Sequence, residues 1–174
     1  MPLAYFVTLV VSVILNPSVD VLQQEPSELG RVNAAYPFVY NFGMVATGLT
    51  GLLAAGGLVT SQSSGRGSPW SVGAGVTILL ASTGVMMAGI FPLPDPRHYG
   101  FGVTTAAVLT PVFGAVSMWR SANRLAAALL IVTFTLIVGL VAARASPLAP
   151  GALMFGSIAC LCWNVRRQTG VQQL

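Results

Sequence analysis

Long stretches of this chain contain no charged residue, and this feature restricts the fold more than any motif does. From Val32 to Gly65, and again from Gly67 to Pro94, no Asp, Glu, Lys or Arg occurs. Only 7% of the residues are charged, whereas soluble domains average about 25%. Such a chain cannot cover a water-facing surface, and its apolar runs approach the roughly 20 residues that cross a bilayer as a helix. The sequence therefore predicts an all-α membrane protein.

Six apolar segments divide the chain, and we predict one polytopic domain over residues 1–174, folded as a six-transmembrane-helix bundle. The predicted helices cover approximately residues 3–21, 37–59, 69–91, 96–119, 125–143 and 150–165. Four segments begin at a proline, which suits a first helical turn because its missing N–H would have no partner there. Ser68 and Asp95 precede two of these prolines and are good N-caps. Pro111 is expected to free the carbonyl of Ala107 and kink the fourth helix.

The basic residues are all arginines, and their positions predict the orientation of the bundle. If both termini lie in the cytoplasm, the inner side receives Arg66, Arg120, Arg124, Arg166 and Arg167, and the outer side Arg31, Arg97 and Arg144. This bias follows the positive-inside rule and predicts a multi-pass protein of the cell membrane. Because the arginines are scattered over loops rather than gathered in a stripe, we expect no nucleic-acid partner.

Small residues recur every four positions in the second segment, at Gly43, Thr47, Gly51 and Ala55. The third segment offers a similar face, either at Ala81, Val85 and Gly89 or at Gly84 and Ala88. Small residues at this spacing let helix backbones approach closely in lipid. We therefore expect the second and third helices to pack against each other, and a homodimer seam is the alternative use of these faces.

Polar side chains gather in two outer connections, "DVLQQEPSELGRVNAAYPFVYN" and "GIFPLPDPRHYGFG". Histidine exchanges protons near neutral pH, a carboxylate can orient it, and arginine can hold an anionic headgroup. The candidate catalytic residues are therefore Glu28, Asp95 and His98. The candidate substrate-binding residues are Ser27, Arg31, Asn33, Asn41, Arg97 and Tyr99. With one histidine and two cysteines that point apart on a helix, we predict no metal site and no cofactor.

Each of these residues also has a structural interpretation. Asp95 is accounted for as an N-cap of the fourth helix, and His98 as an ordinary residue at the membrane interface. Arg31 lies three residues after Glu28, and Arg97 lies two residues after Asp95. Each arginine can therefore form an ion pair with the carboxylate that precedes it. Exposed ion pairs of this kind contribute only roughly 0–1 kcal/mol. The sequence leaves the catalytic and the structural interpretations open.

Three motifs, "PSELGRVN", "YNFG" and "GIFPLPD…RH", carry a resemblance that extends over nearly the whole chain. They resemble a family of bacterial and archaeal six-span membrane proteins known only as a domain of unknown function. The resemblance implies six spans and one outward-facing polar cluster, but no reaction. The family's recurrent polar and turn positions correspond here to Ser27, Gly30, Asn41, Pro92, Asp95 and His98.

The leading hypothesis is a pocket at the extracytoplasmic face that binds an amphiphilic lipid- or isoprenoid-like molecule. If the protein is an enzyme, we expect metal-independent acid/base chemistry on a lipophilic substrate: hydrolysis, isomerisation or cyclisation. One alternative is a carrier for a neutral solute, which needs a polar path through the bundle. Another is a non-catalytic accessory or structural subunit. Convergence of Glu28, Asp95 and His98 around a lipid-accessible cleft would favour the binding protein or enzyme. A water-lined passage through the bundle would favour the carrier, and solvent-facing side chains without a cavity would favour the subunit.

Overall fold

The computed structural model describes residues 1–63, 69–121, 123–143 and 148–171. The described residues are helical apart from turns and connections, with no strand among them. Six α-helices and two 3₁₀ helices follow in chain order. The α-helices are α1 (Pro2–Leu15), α2 (Pro37–Ser63), α3 (Pro69–Ile90), α4 (Thr110–Arg120), α5 (Arg124–Ala142) and α6 (Leu148–Val171). The first 3₁₀ helix is Pro26–Gly30, and the second is Pro96–Leu109.

Four helical stretches are long and apolar enough to cross a membrane, which supports the membrane class predicted from composition. They are Pro37–Thr60, Pro69–Ile90, Pro96–Arg120 and Arg124–Ala142. Two further apolar helices are shorter, Pro2–Leu15 and Leu148–Asn164. The predicted proline starts are confirmed at Pro37, Pro69 and Pro96, whereas the last helix begins two residues before Pro150. The predicted cap at Ser68 lies outside the described residues.

The first helix ends at Leu15 and does not extend to residue 21 as predicted. Asn16 leaves the helical region, with φ −126° and ψ 67°. The next residue is Pro17, which disfavours the α conformation in the residue before it and supplies no N–H to the helix. The chain after it forms turns and then the first 3₁₀ helix. At 14 residues, α1 spans about 21 Å, which is less than the roughly 30 Å hydrocarbon core.

The fourth predicted helix consists of two parts, the second 3₁₀ helix followed by α4. The change in helix type occurs at Thr110 and Pro111. The carbonyl of Ala107 was predicted to be free because Pro111 has no N–H, but the N–H of Thr110 donates to it instead. A 3₁₀ register pairs residues three apart, so it satisfies this carbonyl without the proline. The hydroxyls of Thr110 and Thr77 also lie 2.9 Å apart, which joins α4 to α3 in a buried position.

The predicted packing of α2 against α3 is confirmed. The two helices run antiparallel, with Gly48 over the carbonyl of Ser82 and Gly75 over the carbonyl of Ala55. A Cβ at Gly48 would lie 2.7 Å from that carbonyl oxygen, so only glycine allows this approach. Two glycines of the predicted small-residue faces pack against other helices instead. Gly43 packs on Thr8 of α1, and Gly84 packs on Thr104 of the second 3₁₀ helix.

The remaining helices close around this pair from two sides. α1 packs against α2 and α6, and the rings of Tyr5 and Phe155 stack with centroids 3.9 Å apart. α4 and α5 pack on each other further along the bundle, where Ala127, Leu130 and Leu161 form a buried cluster. α1, α3, α5 and α6 therefore surround a common space near the end that bears the acidic residues.

Candidate functional site

The two polar connections meet at one end of the bundle, as predicted. The N–H of Val32 donates to the carbonyl of Leu93 at 3.2 Å, which ties the first connection to the second. The first 3₁₀ helix is fixed on α2 because Asn41 Nδ2 donates to the carbonyl of Gly30 at 2.9 Å. A Cβ at Gly30 would lie 2.7 Å from the ring of Tyr40, so glycine is required at this close approach. We call this end, which carries Asp20, Glu25, Glu28 and Asp95, the acidic end.

The second 3₁₀ helix places His98 and Tyr99 directly above α3. Asp95 caps its start, accepting a hydrogen bond from the N–H of Arg97 at 2.8 Å. Gly100 adopts φ +55°, a left-handed conformation that favours glycine. A Cβ on Gly100 would lie 2.9 Å from the Cα of Gly84. The backbones of the second 3₁₀ helix and α3 can therefore come into contact because both residues are glycine. The contact turns the helix over the end of α3.

Below these residues lies a partly open cavity of about 640 Å³. Its lining on α3 extends from Ala81 to Ala88, about 10 Å along the helix axis. Most of the wall is apolar and comes from α1, α2, α3, α5 and α6. The lining includes Tyr5 of α1, Val85 of α3, Leu140 of α5, and Gly151, Phe155 and Ile158 of α6. The volume lies within the roughly 300–1,000 Å³ typical of small-molecule pockets.

The polar side chains that line this cavity at the acidic end include Glu25, Ser27, His98 and Tyr99. We call these residues the rim cluster. Glu25 Oε2 accepts hydrogen bonds from the Ser27 hydroxyl at 3.1 Å and from the Tyr99 hydroxyl at 3.3 Å. One carboxylate therefore joins both 3₁₀ helices across the mouth of the cavity.

His98 is the buried member of the rim cluster, with only 4% of its surface exposed. Its Nδ1 lies 2.9 Å from the carbonyl oxygen of Phe91. Because a carbonyl can only accept, Nδ1 carries the proton in this hydrogen bond. Nε2 is then the unprotonated nitrogen of the neutral ring. Among the described residues no side chain or backbone group bonds to Nε2.

Two other candidate catalytic residues, Glu28 and Asp95, form ion pairs and are not among the cavity-lining residues. Glu28 Oε2 lies 2.6 Å from the guanidinium of Arg31, and this hydrogen-bonded pair raises the pKa of Arg31. Asp95 Oδ2 lies 2.7 Å from Arg97 Nη2. Side-chain and backbone hydrogen bonds from Arg97 lower the pKa of Asp95 to about 2. For these four residues the geometry matches the structural interpretation.

The remaining predicted residues divide between the cavity and the scaffold. Ser27 and Tyr99 belong to the rim cluster, whereas Arg31 and Arg97 are outside the lining and already paired. Asn41 holds the first 3₁₀ helix on α2 by the hydrogen bond described above. Asn33 is exposed in the loop before α2. The structure thus brings three of the nine predicted residues, Ser27, His98 and Tyr99, to one cavity.

The sequence analysis missed Glu25, which is the carboxylate of the rim cluster. A signal for it was present in the spacing of "EPSELGR". Glu28 and Arg31 are three residues apart, and side chains at that spacing lie one above the other in a 3₁₀ helix. This leaves Glu25 without an arginine partner, and among the described residues no cation lies within ion-pair distance of it. Within the same residues, no group of three or more His, Cys, Asp or Glu could hold a metal ion.

Residues 1–165 match a sequence family described as protein of unknown function (DUF998). The chain belongs to the DUF998 family. This identification confirms the resemblance carried by the three motifs. No curated protein and no solved structure matches the chain. In this DUF998 protein the matched residues include the rim cluster and every residue that lines the cavity.

Proposed function

We propose that this DUF998 protein binds an amphiphilic lipid- or isoprenoid-like molecule in the cavity at the acidic end. The observation that carries the proposal is the joining of an apolar cavity of about 640 Å³ to the polar rim cluster at its mouth. An amphiphile has the same division, with an apolar tail for the walls and a polar headgroup for the rim. Lipid is as apolar as the cavity wall, so the tail gains van der Waals packing rather than hydrophobic free energy on entry, and the polar contacts at the rim select the headgroup.

The headgroup that fits the rim cluster is neutral or cationic. Glu25 presents a carboxylate, Ser27 and Tyr99 present hydroxyls, and His98 presents Nε2. The arginines first considered for an anionic headgroup are paired with Glu28 and Asp95. A hydroxyl or ammonium headgroup would bond to Glu25, whereas a phosphate beside the same carboxylate would be repelled.

Acid/base chemistry at His98 is the second part of the proposal. A base must approach the proton that it removes to about 2.6–3.2 Å, directly or through one water. The hydrogen bond from Nδ1 to the carbonyl of Phe91 fixes the ring, and His98 is one of the residues that line the cavity in which the amphiphile would lie. His98 would accept a proton from the bound molecule and return it at another atom, as isomerisation or cyclisation requires.

We further propose six membrane crossings with both termini in the cytoplasm of the cell, so that the cavity opens at the extracytoplasmic face. Charge distribution supports this orientation. All four acidic residues lie at the acidic end, and Arg120 and Arg124 lie at the opposite end of α4 and α5. Basic residues are enriched on the cytoplasmic side of membrane proteins. α1 is about 9 Å shorter than the hydrocarbon core, so its crossing would require local thinning of the bilayer around it.

A cavity-filling substitution tests the binding proposal. Gly151 lies on α6 in the cavity wall, and a Cβ there would find its nearest neighbour, the Tyr5 hydroxyl, at 3.6 Å. The Cβ of Gly151→Leu would therefore make only an ordinary contact, and the rest of the leucine side chain would take up space at the cavity wall. Gly156→Leu is the matched control, since Gly156 lies on the same helix and a Cβ there has no neighbour within 4 Å among the described residues.

The measurement is mass spectrometry of lipids extracted from the purified proteins. We expect Gly151→Leu to lose an amphiphile that wild type and Gly156→Leu retain. Equal lipid content in all three proteins would refute binding in this cavity. The chemical step is tested separately with His98→Gln, which keeps a hydrogen-bonding side chain but cannot exchange protons. If cells carrying His98→Gln accumulate the same lipid profile as wild type, the catalytic part of the proposal is wrong.

A further inference from the structure

Two arginines at the end of the bundle opposite the acidic end have no carboxylate partner among the described residues. Arg120 ends α4 and Arg124 begins α5, and both side chains are exposed. All four acidic side chains are described, and none lies within ion-pair distance of either arginine. Each guanidinium instead lies over an indole ring, Arg120 at 5.6 Å from Trp70 and Arg124 at 5.7 Å from Trp119. These contacts orient both guanidinium groups without neutralising their positive charges.

An apolar groove of about 350 Å³ begins at the same place and follows α4 and α5. Its lining residues are Val112, Ala115, Val116, Trp119, Arg120, Ile131 and Phe134. Among the lining residues that the structure describes, Arg120 alone is charged, and it lies at one end of the groove. We call this surface the α4–α5 groove.

We infer that the α4–α5 groove binds an anionic phospholipid of the surrounding bilayer. The phosphate would contact Arg120 and Arg124, and one acyl chain would lie in the groove. Charge complementarity selects this occupant, since two unneutralised arginines beside an apolar channel match an anionic headgroup attached to a hydrocarbon chain. A zwitterionic lipid carries a compensating cation that the arginines would repel.

The length of the groove fits one leaflet. Val112 and Arg120 are separated by about 12 Å along the α4 axis. A single leaflet contributes about 15 Å of hydrocarbon to the bilayer core. The arginines would therefore lie at headgroup level while the groove covers most of one acyl chain. Trp119, which precedes Arg120 and lies under Arg124, is 58% exposed. Its ring would lie at the depth where indole rings are enriched in membrane proteins.

The inference is tested in nanodiscs that contain equal amounts of dioleoyl phosphatidylglycerol and dioleoyl phosphatidylcholine. After transfer to the gas phase, native mass spectrometry counts the lipids that remain bound. We expect wild type to retain phosphatidylglycerol preferentially. Arg120→Gln/Arg124→Gln should reduce that preference by about fivefold for each arginine removed. Arg31→Gln/Arg97→Gln loses the same net charge at the acidic end, where carboxylates already neutralise both arginines, and should keep the preference.

A second pair of variants tests the groove itself. Ile131→Trp would fill it, whereas Val132→Trp adds the same ring at the next position, which is equally exposed but outside the lining. We expect only Ile131→Trp to reduce phosphatidylglycerol retention. Equal retention of the two lipids by wild type would overturn the inference. So would an equal effect of the two arginine double variants, or of the two tryptophan variants. None of these outcomes depends on the cavity at the acidic end.

Discussion

The Tyr99 hydroxyl donates a hydrogen bond to Glu25 Oε2 at 3.3 Å, across 74 residues of sequence. This bond joins the two 3₁₀ helices over the mouth of the cavity. Ser27 donates to the same oxygen at 3.1 Å, so one carboxylate collects two hydroxyl donors. The arrangement makes Glu25 the centre of the rim cluster and gives the cavity a polar boundary.

The first prediction concerns this bond. Tyr99→Phe and Glu25→Gln should each destabilise the protein, and the two changes should be non-additive, with a coupling free energy of about 0.5–1.5 kcal/mol. The measurement is a double-mutant cycle of unfolding free energies in detergent. Tyr99→Phe combined with Asp20→Asn is the control and should be additive, because the carboxylate of Asp20 accepts only from the nearby N–H of Leu22 among the described residues. Additive behaviour of the Tyr99 and Glu25 changes would contradict the assignment.

The second prediction concerns the contact of α2 with α3. A Cβ at Gly89 would collide with the backbone carbonyl of Asn41, which cannot rotate away as a side chain can. Gly89→Ala should therefore destabilise the protein by about 1–3 kcal/mol. Gly139→Ala on α5 should be neutral or stabilise by up to about 1 kcal/mol, since a Cβ there has open space and alanine favours the helix. Thermal unfolding of both variants gives the comparison, and equal melting temperatures would refute the close approach.

The third prediction concerns acid stability. Hydrogen bonds from Arg97 hold the pKa of Asp95 at about 2, below its ordinary value of 3.8. The folded protein therefore binds this proton less readily than the unfolded chain. The stabilisation is complete above about pH 4 and is lost as the pH falls towards 2. Asp95→Asn retains an N-capping side chain but lacks the charge.

Melting temperatures measured between pH 6 and pH 2.5 test this expectation. The difference between wild type and Asp95→Asn should be constant at the upper end and should shrink below about pH 4. Asp20→Asn is the control, because no arginine lies within ion-pair distance of Asp20 in the described part of the chain. A difference for Asp95→Asn that does not change with pH would mean that the ion pair contributes nothing to folding.

The fourth prediction concerns orientation. In a Cys160→Ala/Cys162→Ala background, a cysteine is introduced either at Gln23, which is exposed at the acidic end, or at Ser121, which is exposed after α4. A membrane-impermeant maleimide applied to intact cells should label Gln23→Cys and not Ser121→Cys. Lysed cells serve as the control in which both should react. The reverse pattern in intact cells would place the cavity at the cytoplasmic face.

Much of the fold and the local pairs of the site were predictable from the sequence. Charge-free runs require helices because lipid offers no partner to an open backbone, and prolines mark three of the starts. The ion pairs of Glu28 with Arg31 and of Asp95 with Arg97 join residues two or three apart, so spacing alone suggested them. The docking of α2 on α3 followed from small residues at a helical repeat.

Only the tertiary structure decided which polar groups share the cavity. Glu25 reaches Tyr99 across the fold, and His98 is directed by a backbone carbonyl, so neither contact leaves a pattern in the sequence. The close approach of Gly84 and Gly100 likewise joins residues 16 apart in sequence and leaves no local pattern. Hydropathy and spacing act over a few residues and fix the helices. The cavity depends on the relative placement of helices distant in the chain, which is set by side-chain packing among all of them.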